Sequence, residues 1–158
     1  MRLFLSSTYE DLKPHREKVE NSFAISGLEY NAMEHFGSTA NPPIQTCLEA
    51  VERSDVLIAV IGVRYGSCPP RCKRSFTERE YRHAKLHNIP ILPFMIDMRN
   101  ARVAPTFMHN ESPEQQSRLT SFKALAEREH AVTYFTTPDD LARLVLASLI
   151  RQFGNIRV

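Results

Sequence analysis

The amino-acid sequence predicts an α/β fold: a doubly wound, five-stranded parallel sheet with helices on both faces. Three observations predict it. Five short apolar runs, at positions 3–6, 28–33, 56–62, 89–96 and 131–135, alternate with five longer segments. Those segments repeat their apolar residues at helical rather than strand spacing. The third run, from Val56 to Gly62, is apolar at every position. A strand reads that way when helices cover both of its faces.

The elements follow in order. The first strand is centred on Leu3, Phe4 and Leu5, and the helix over 11–25 sets Leu12, Val19 and Phe23 on one side. After the second run, 42–53 carries Ile44, Leu48 and Val51 at i, i+4 and i+7, with Pro42 or Pro43 suited to a first helical turn. Segment 77–87 is the third helix. The fourth, 113–129, carries Leu119, Phe122, Leu125 and Ala126, and the fifth spans 138–153. Five βα units at this length suit the flavodoxin-like strand order 2-1-3-4-5 and one domain over 1–158. The last helix is apolar around much of its circumference (Leu141, Leu144, Val145, Leu146, Leu149, Ile150, Phe153). Such a helix packs between two neighbours or also meets a partner.

Composition narrows the function classes. Of 158 residues, 42% are hydrophobic and 24% charged, which excludes disordered and fibrous chains. Twenty basic against eighteen acidic residues leave a net charge of +2, too balanced to predict nucleic-acid or membrane binding. No apolar run approaches the roughly 18 residues of a membrane span, and the N-terminus lacks a secretory pattern. Cys47, Cys68 and Cys72 are an odd, sparse set, which predicts a reduced, cytoplasmic protein. Cys68 and Cys72 read as loop residues, and no metal site is expected there.

The predicted topology opens a crevice between the carboxyl ends of strands one and three. Ser6-Ser7-Thr8-Tyr9-Glu10-Asp11 follows strand one, Glu34-His35-Phe36 follows strand two, and Gly62-Val63-Arg64-Tyr65-Gly66-Ser67 follows strand three. Gly62 and Gly66 permit close backbone approach, Arg64 can grip a phosphate bidentately, and Tyr65 offers a ring for stacking. Together they suit a nucleotide. Singly they have plainer uses: Ser7, Thr8 or Asp11 suits capping of the first helix, and Arg64, Glu34 and His35 suit solvated loops. Familiar nucleotide fingerprints are absent, with neither G-x-G-x-x-G nor a P-loop, and no G-x-S-x-G elbow is present. The acidic residues of a phosphorylated receiver are missing too: Ser6-Ser7 and Gly62 hold those places.

Ser75-Phe-Thr-Glu-Arg-Glu-Tyr81 opens the third helix. Thr77-x-x-Glu80 reads as a capping box there. A carboxylate at a crevice mouth is equally where catalysis would place one. Glu78 and Glu80 project about 200° apart on an ideal helix, so at most one faces a ligand.

Four stretches, Phe4-Leu-Ser-Ser-Thr-Tyr-Glu-Asp-Leu12, Met33-Glu-His-Phe36, Gly62-Val-Arg-Tyr-Gly-Ser67 and Ser75-Phe-Thr-Glu-Arg-Glu-Tyr81, resemble a TIR-like family of formerly uncharacterised domains. These stand in front of STAND-type ATPases and repeat arrays in bacterial signalling and defence proteins. The family is similar to TIR domains and to nucleoside 2-deoxyribosyltransferases, which share a flavodoxin-like sheet and a catalytic glutamate after the third strand. The resemblance places that glutamate at Glu80, followed by the small residue Ala84, with Thr77 matching a T-x-x-E pattern. The tryptophan that often precedes the glutamate in TIR domains is absent. Arg74-Ser75-Phe76 stands where a deoxyribosyltransferase has Asp before Gly-Thr.

The resemblance implies an NAD glycohydrolase activated by self-association, with NAD as substrate and no tightly bound cofactor. Glu80 would be catalytic. Ser6, Ser7, Thr8, Glu34, Arg64, Tyr65 and Gly66 would bind nucleotide, and Glu78, Asp11 and Thr77 are secondary candidates. Expected partners are NAD or a related nucleotide, further copies of the chain and a following sensor or ATPase domain, with no nucleic acid and no membrane. The alternatives are a non-catalytic interaction module and an N-glycosidase or deoxyribosyltransferase acting on another nucleotide.

Overall fold

The computed structural model describes residues 1–33, 43–103, 106–107 and 110–154. The elements run β1 (Arg2–Ser7), α1 (Lys13–Ile25), β2 (Glu29–Ala32), α2 (Pro43–Glu52), β3 (Val56–Ile61), α3 (Phe76–Leu86), β4 (Ile91–Ile96), α4 (Pro113–Glu129), β5 (Thr133–Phe135) and α5 (Pro138–Phe153). The strands form one parallel sheet in the predicted order β2-β1-β3-β4-β5. β1 and β3 are neighbours, with Leu3 opposite Val56 and Ser7 opposite Val60.

The apolar run of β3 divides between two cores because successive side chains point to opposite faces. Val56, Ile58 and Val60 join Leu3 and Leu5 against Val19 and Phe23 of α1 and Leu141, Val145 and Leu149 of α5. Leu57, Ala59 and Ile61 join Phe4 against Val51 of α2, Tyr81 and Ala84 of α3, and Phe122 and Ala126 of α4. Each of the Val, Leu, Ile and Phe side chains among these contributes about 1.5–3 kcal/mol on burial, so the sheet is clamped from both sides. On α5, the outward Ile150 and Phe153 stay exposed. No helix among the described residues is long and apolar enough to cross a membrane.

Two expectations about helix starts are corrected. α1 has Leu12 at its N-cap position and no side-chain cap. Ser7, Thr8 and Asp11 therefore do not cap it; their polar atoms are used elsewhere, as described below. In α3 the N-cap is Ser75, whose hydroxyl accepts from the Glu78 amide at 3.2 Å. The Thr77–Glu80 capping box is not formed, and both residues lie inside the helix. Downstream, Ser112 and Gln115 do form a reciprocal capping box that starts α4 after the long connection from β4.

Candidate functional site

The crevice floor is built where β1 ends. Ser6 is buried there, and its hydroxyl donates to Glu80 Oε2 at 2.5 Å. Glu80 reaches that point because Thr77, Glu80 and Ala84 share the stripe of α3 that faces the sheet, at i, i+3 and i+7. Glu80 is 3% exposed, and a carboxyl group so buried needs hydrogen-bond partners. Glu78 is directed elsewhere. It accepts from Arg82 Nε at 2.8 Å and from the Tyr65 hydroxyl at 2.5 Å, with Arg74 at 3.8 Å.

The walls are two loops locked together by carboxylates. Ser7 Oγ accepts from Arg16 of α1 at 2.5 Å and donates to the Thr8 carbonyl at 2.9 Å. The Thr8 hydroxyl donates to Asp11 Oδ1. Asp11 Oδ2 accepts the backbone N–H groups of Val63 at 3.0 Å and Arg64 at 3.2 Å. Asp11 thus ties the β1 loop to the β3 loop. Gly62 permits this approach: a β-carbon there would collide with the Asp11 carboxylate and lie 3.1 Å from Leu12 Cδ1. Gly66 has φ +86°, and an added β-carbon would meet Thr8 Cγ2 at 2.6 Å.

Glu111, just ahead of α4, completes the lock. It is 7% exposed, and its two oxygens accept the next two amides, Tyr65 N at 2.5 Å and Gly66 N at 2.9 Å. Four successive N–H groups, from Val63 to Gly66, are therefore taken by two buried carboxylates. Arg64 Nε lies 3.9 Å from Glu111 Oε2, too far for a hydrogen bond, and is buried without a hydrogen-bond partner among the described residues.

Above this floor lies a cavity of about 270 Å³ whose lining includes Ser7, Thr8, Arg64, Gly66 and Thr77, with Tyr9, Met33 and Phe76 as the apolar contribution. Ser6 and Glu80 are not part of its wall; Glu80 lies one helical turn beyond Thr77. Tyr65 is not available for stacking, since it is 2% exposed and packed among Tyr81, Ile61 and Leu57. Its hydroxyl accepts from the Ser75 amide at 3.2 Å while donating to Glu78. Burial and the Glu78 contact push the Tyr65 hydroxyl above its ordinary pKa. The ring open to solvent is Tyr9, 44% exposed, with Lys13 Nζ 5.8 Å from its centroid. Glu34, with His35, lies outside the described residues.

The sequence pointed to Ser6, Ser7, Thr8, Asp11, Arg64, Gly66, Thr77 and Glu80, and the fold brings these to one end of the sheet. It did not point to Glu111 or Arg16. Glu111 stands 46 residues from Tyr65 and carries no motif of its own. A larger groove of about 640 Å³ runs along the other side of α3, past Leu48, Cys72, Lys73, Arg79, Arg82 and His83. Its cations are partly committed: Arg82 to Glu78 at 2.8 Å, and Arg79 Nη1 to Cys72 Sγ at 3.0 Å. The sheet's carboxyl edge, where α/β folds bind ligands, is at the smaller cavity.

Comparison with known proteins bears on the fold and the family. The TIR domains in the structure of the activated Roq1 resistosome, which directly recognises the pathogen effector XopQ, superpose with a TM-score of 0.63 at 12% identity. The match covers 94% of this chain and 98% of that one, and it shows a TIR-like fold. A flavodoxin-like domain from Synechococcus aligns over 92% of this chain and 98% of its own, at 11% identity and a TM-score of 0.37. Telomerase protein component 1 of Rattus norvegicus is 31% identical over 85 residues. The match covers 44% of this chain and 3% of the rat protein. Residues 2–150 match the family model described as "Domain of unknown function (DUF4062)", and the chain belongs to that family.

Proposed function

We propose that the chain is a TIR-like NAD glycohydrolase with Glu80 as its catalytic carboxylate. The observation that carries this is the pairing of buried Glu80 with Ser6 at the carboxyl edge of β1, beneath a cavity edged by Arg64 and hydroxyl groups. Cleavage breaks the bond between the nicotinamide nitrogen and ribose C1′. Nicotinamide leaves with the electron pair, and C1′ becomes oxocarbenium-like. A carboxylate beside it stabilises the positive charge, holds the ribose hydroxyls or attacks C1′ directly. Water then adds at C1′, releases a proton and gives ADP-ribose. A ribose hydroxyl would replace Ser6 as the donor to Glu80. Arg64, whose Nε makes no hydrogen bond among the described residues, suits the diphosphate. Tyr9 and Phe76, rather than Tyr65, offer rings to a base.

Self-association is part of the proposal. Ile150 and Phe153 leave an apolar edge on α5, and the Roq1 TIR domains belong to an assembly named a resistosome. A role in signalling or defence, ahead of a sensor or ATPase domain, is part of the same proposal and rests on the motif resemblance of the sequence. The test is nicotinamide release from NAD by wild type and by Glu80→Gln, each dilute and tethered in multivalent form. Release that needs both Glu80 and tethering supports the proposal. Equal release by the two proteins contradicts the assignment of Glu80.

A non-catalytic interaction module is the second reading. It is favoured by one observation: Glu80 is already hydrogen-bonded by Ser6 and is not on the cavity wall. A folded wild type that releases no nicotinamide in any form supports it. Activity on another nucleoside or nucleotide, but not NAD, would make the chain an N-glycosidase or transferase of different specificity.

A further inference from the structure

We propose that His83, His87 and Glu52 form a binding site for one borderline divalent cation, zinc or its neighbours cobalt and nickel, clasping α2 to α3. The two histidines are four residues apart, His83 in the last turn of α3 and His87 at its C-cap. That spacing stacks both imidazoles on one side of the helix. Glu52, the last residue of α2, comes from the helix packed alongside.

One ligand atom from each residue lies within 4.8 Å of the other two. His83 Nε2 is 2.7 Å and His87 Nε2 3.5 Å from the same Glu52 oxygen, and the two rings lie 4.4 Å apart at 43°. Both imidazoles thus converge on one Glu52 oxygen, a set of three potential ligand atoms close enough for one metal ion to share. Tetrahedral zinc with bonds of about 2.0–2.1 Å sets its ligand atoms about 3.3–3.4 Å apart, within small side-chain rotations of this arrangement.

The electrostatic setting favours a cation independently of the ligands. α2 and α3 both end at the cluster, so the negative ends of two helix dipoles converge on it. Two of the nearby cations are ion-paired: Arg53 with Glu49 at 3.8 Å and Arg82 with Glu78 at 2.8 Å. Two imidazole nitrogens and one carboxylate suit zinc, cobalt or nickel better than calcium or magnesium, which prefer all-oxygen sites. With three protein ligands, the fourth position stays open to water or an anion. His83 also lines the basic groove on this side of α3, so an anion there could reach that position.

The experiment uses tag-free protein stripped with a chelator and titrated with zinc, followed by calorimetry and thermal unfolding. One equivalent is expected to bind and to raise the melting temperature. His83→Ala and His87→Ala should each weaken binding by at least about tenfold, the scale on which even outer-shell changes act. The double variant Cys68→Ser/Cys72→Ser should bind as wild type does. Absence of binding, binding unchanged in both histidine variants, or binding lost in the cysteine variant would overturn the proposal. Cobalt spectra give a second readout that needs no substitution: nitrogen and oxygen ligation is expected, and thiolate ligation contradicts it.

Discussion

Removing the Glu111 carboxylate should destabilise the fold by several kcal/mol, although Glu111 lies in a connection rather than in a core element. Its oxygens receive the Tyr65 and Gly66 amides at 2.5 and 2.9 Å in a buried setting. Hydrogen bonds to a charged group contribute about 1.5–3 kcal/mol each, and a buried donor left without an acceptor costs about 1–3 kcal/mol. Glu111→Ala strands both amides, so a loss of about 3–5 kcal/mol is expected. Glu111→Gln keeps one carbonyl acceptor and should lose only about 1–3 kcal/mol. At this chain length each kcal/mol moves the melting temperature by about 2–4 °C. Urea unfolding followed by circular dichroism would rank the three proteins, with unchanged m values showing that stability alone has shifted. Losses below about 0.5 kcal/mol in both variants, the scale of an ordinary surface change, would refute the reasoning. Equal large losses would mean that charge, rather than amide pairing, is what Glu111 supplies.

Three further outcomes are expected. Gly62→Ala should lose about 1–3 kcal/mol through overpacking, because its β-carbon meets the Asp11 carboxylate and Leu12; a melting temperature equal to wild type would contradict this. His15 and His130 are held below the usual 6.5 by burial, so the native state keeps them neutral while the unfolded chain gains protons. That stability is present above about pH 6.5 and is lost as pH falls below it toward the folded values. Denaturant midpoints should therefore drop between pH 7.5 and 5.5, and His15→Phe, beside Phe135 at 5.4 Å, should flatten the drop; an unchanged slope would refute the role of His15. Among the thiols, Cys72 should alkylate first at neutral pH. Backbone and Arg79 hydrogen bonds lower its pKa, burial raises that of Cys68, and Cys47 is buried. Peptide mass spectrometry after brief iodoacetamide treatment checks the order, and Arg79→Ala should slow the Cys72 reaction.

The sheet was legible in the sequence because its signals are local. An unbroken apolar run such as Val56–Ile61 has few other homes, and each connecting helix shows its own period. Helix starts were less legible. Ser75-x-x-Glu78 and Thr77-x-x-Glu80 satisfy the same capping pattern two residues apart. The choice falls to the Tyr65 hydroxyl, which occupies the Ser75 amide and bonds Glu78. The same packing turns Tyr65 inward and leaves Tyr9 at the cavity, an exchange that residue type alone does not reveal. Asp11 looked like a helix cap because acids near helix starts usually are. Here it reaches 52 residues along the chain to the Val63 amide. Glu111 was illegible for a related reason: backbone amides donate to any well-placed carboxylate, so no side-chain pattern marks their partner.

The proposed activity requires the crevice between β1 and β3 to hold NAD with its reacting ribose at Glu80. A crystal structure of the Glu80→Gln variant bound to NAD tests it most directly. The diphosphate is expected against Arg64 and ribose C1′ within about 3.5 Å of the side chain at position 80, a reacting distance. Ser6 should then have exchanged its contact with position 80 for one with the ribose. Dinucleotide bound in the basic groove on the far side of α3, or bound in the crevice with its ribose turned away from position 80, would contradict it.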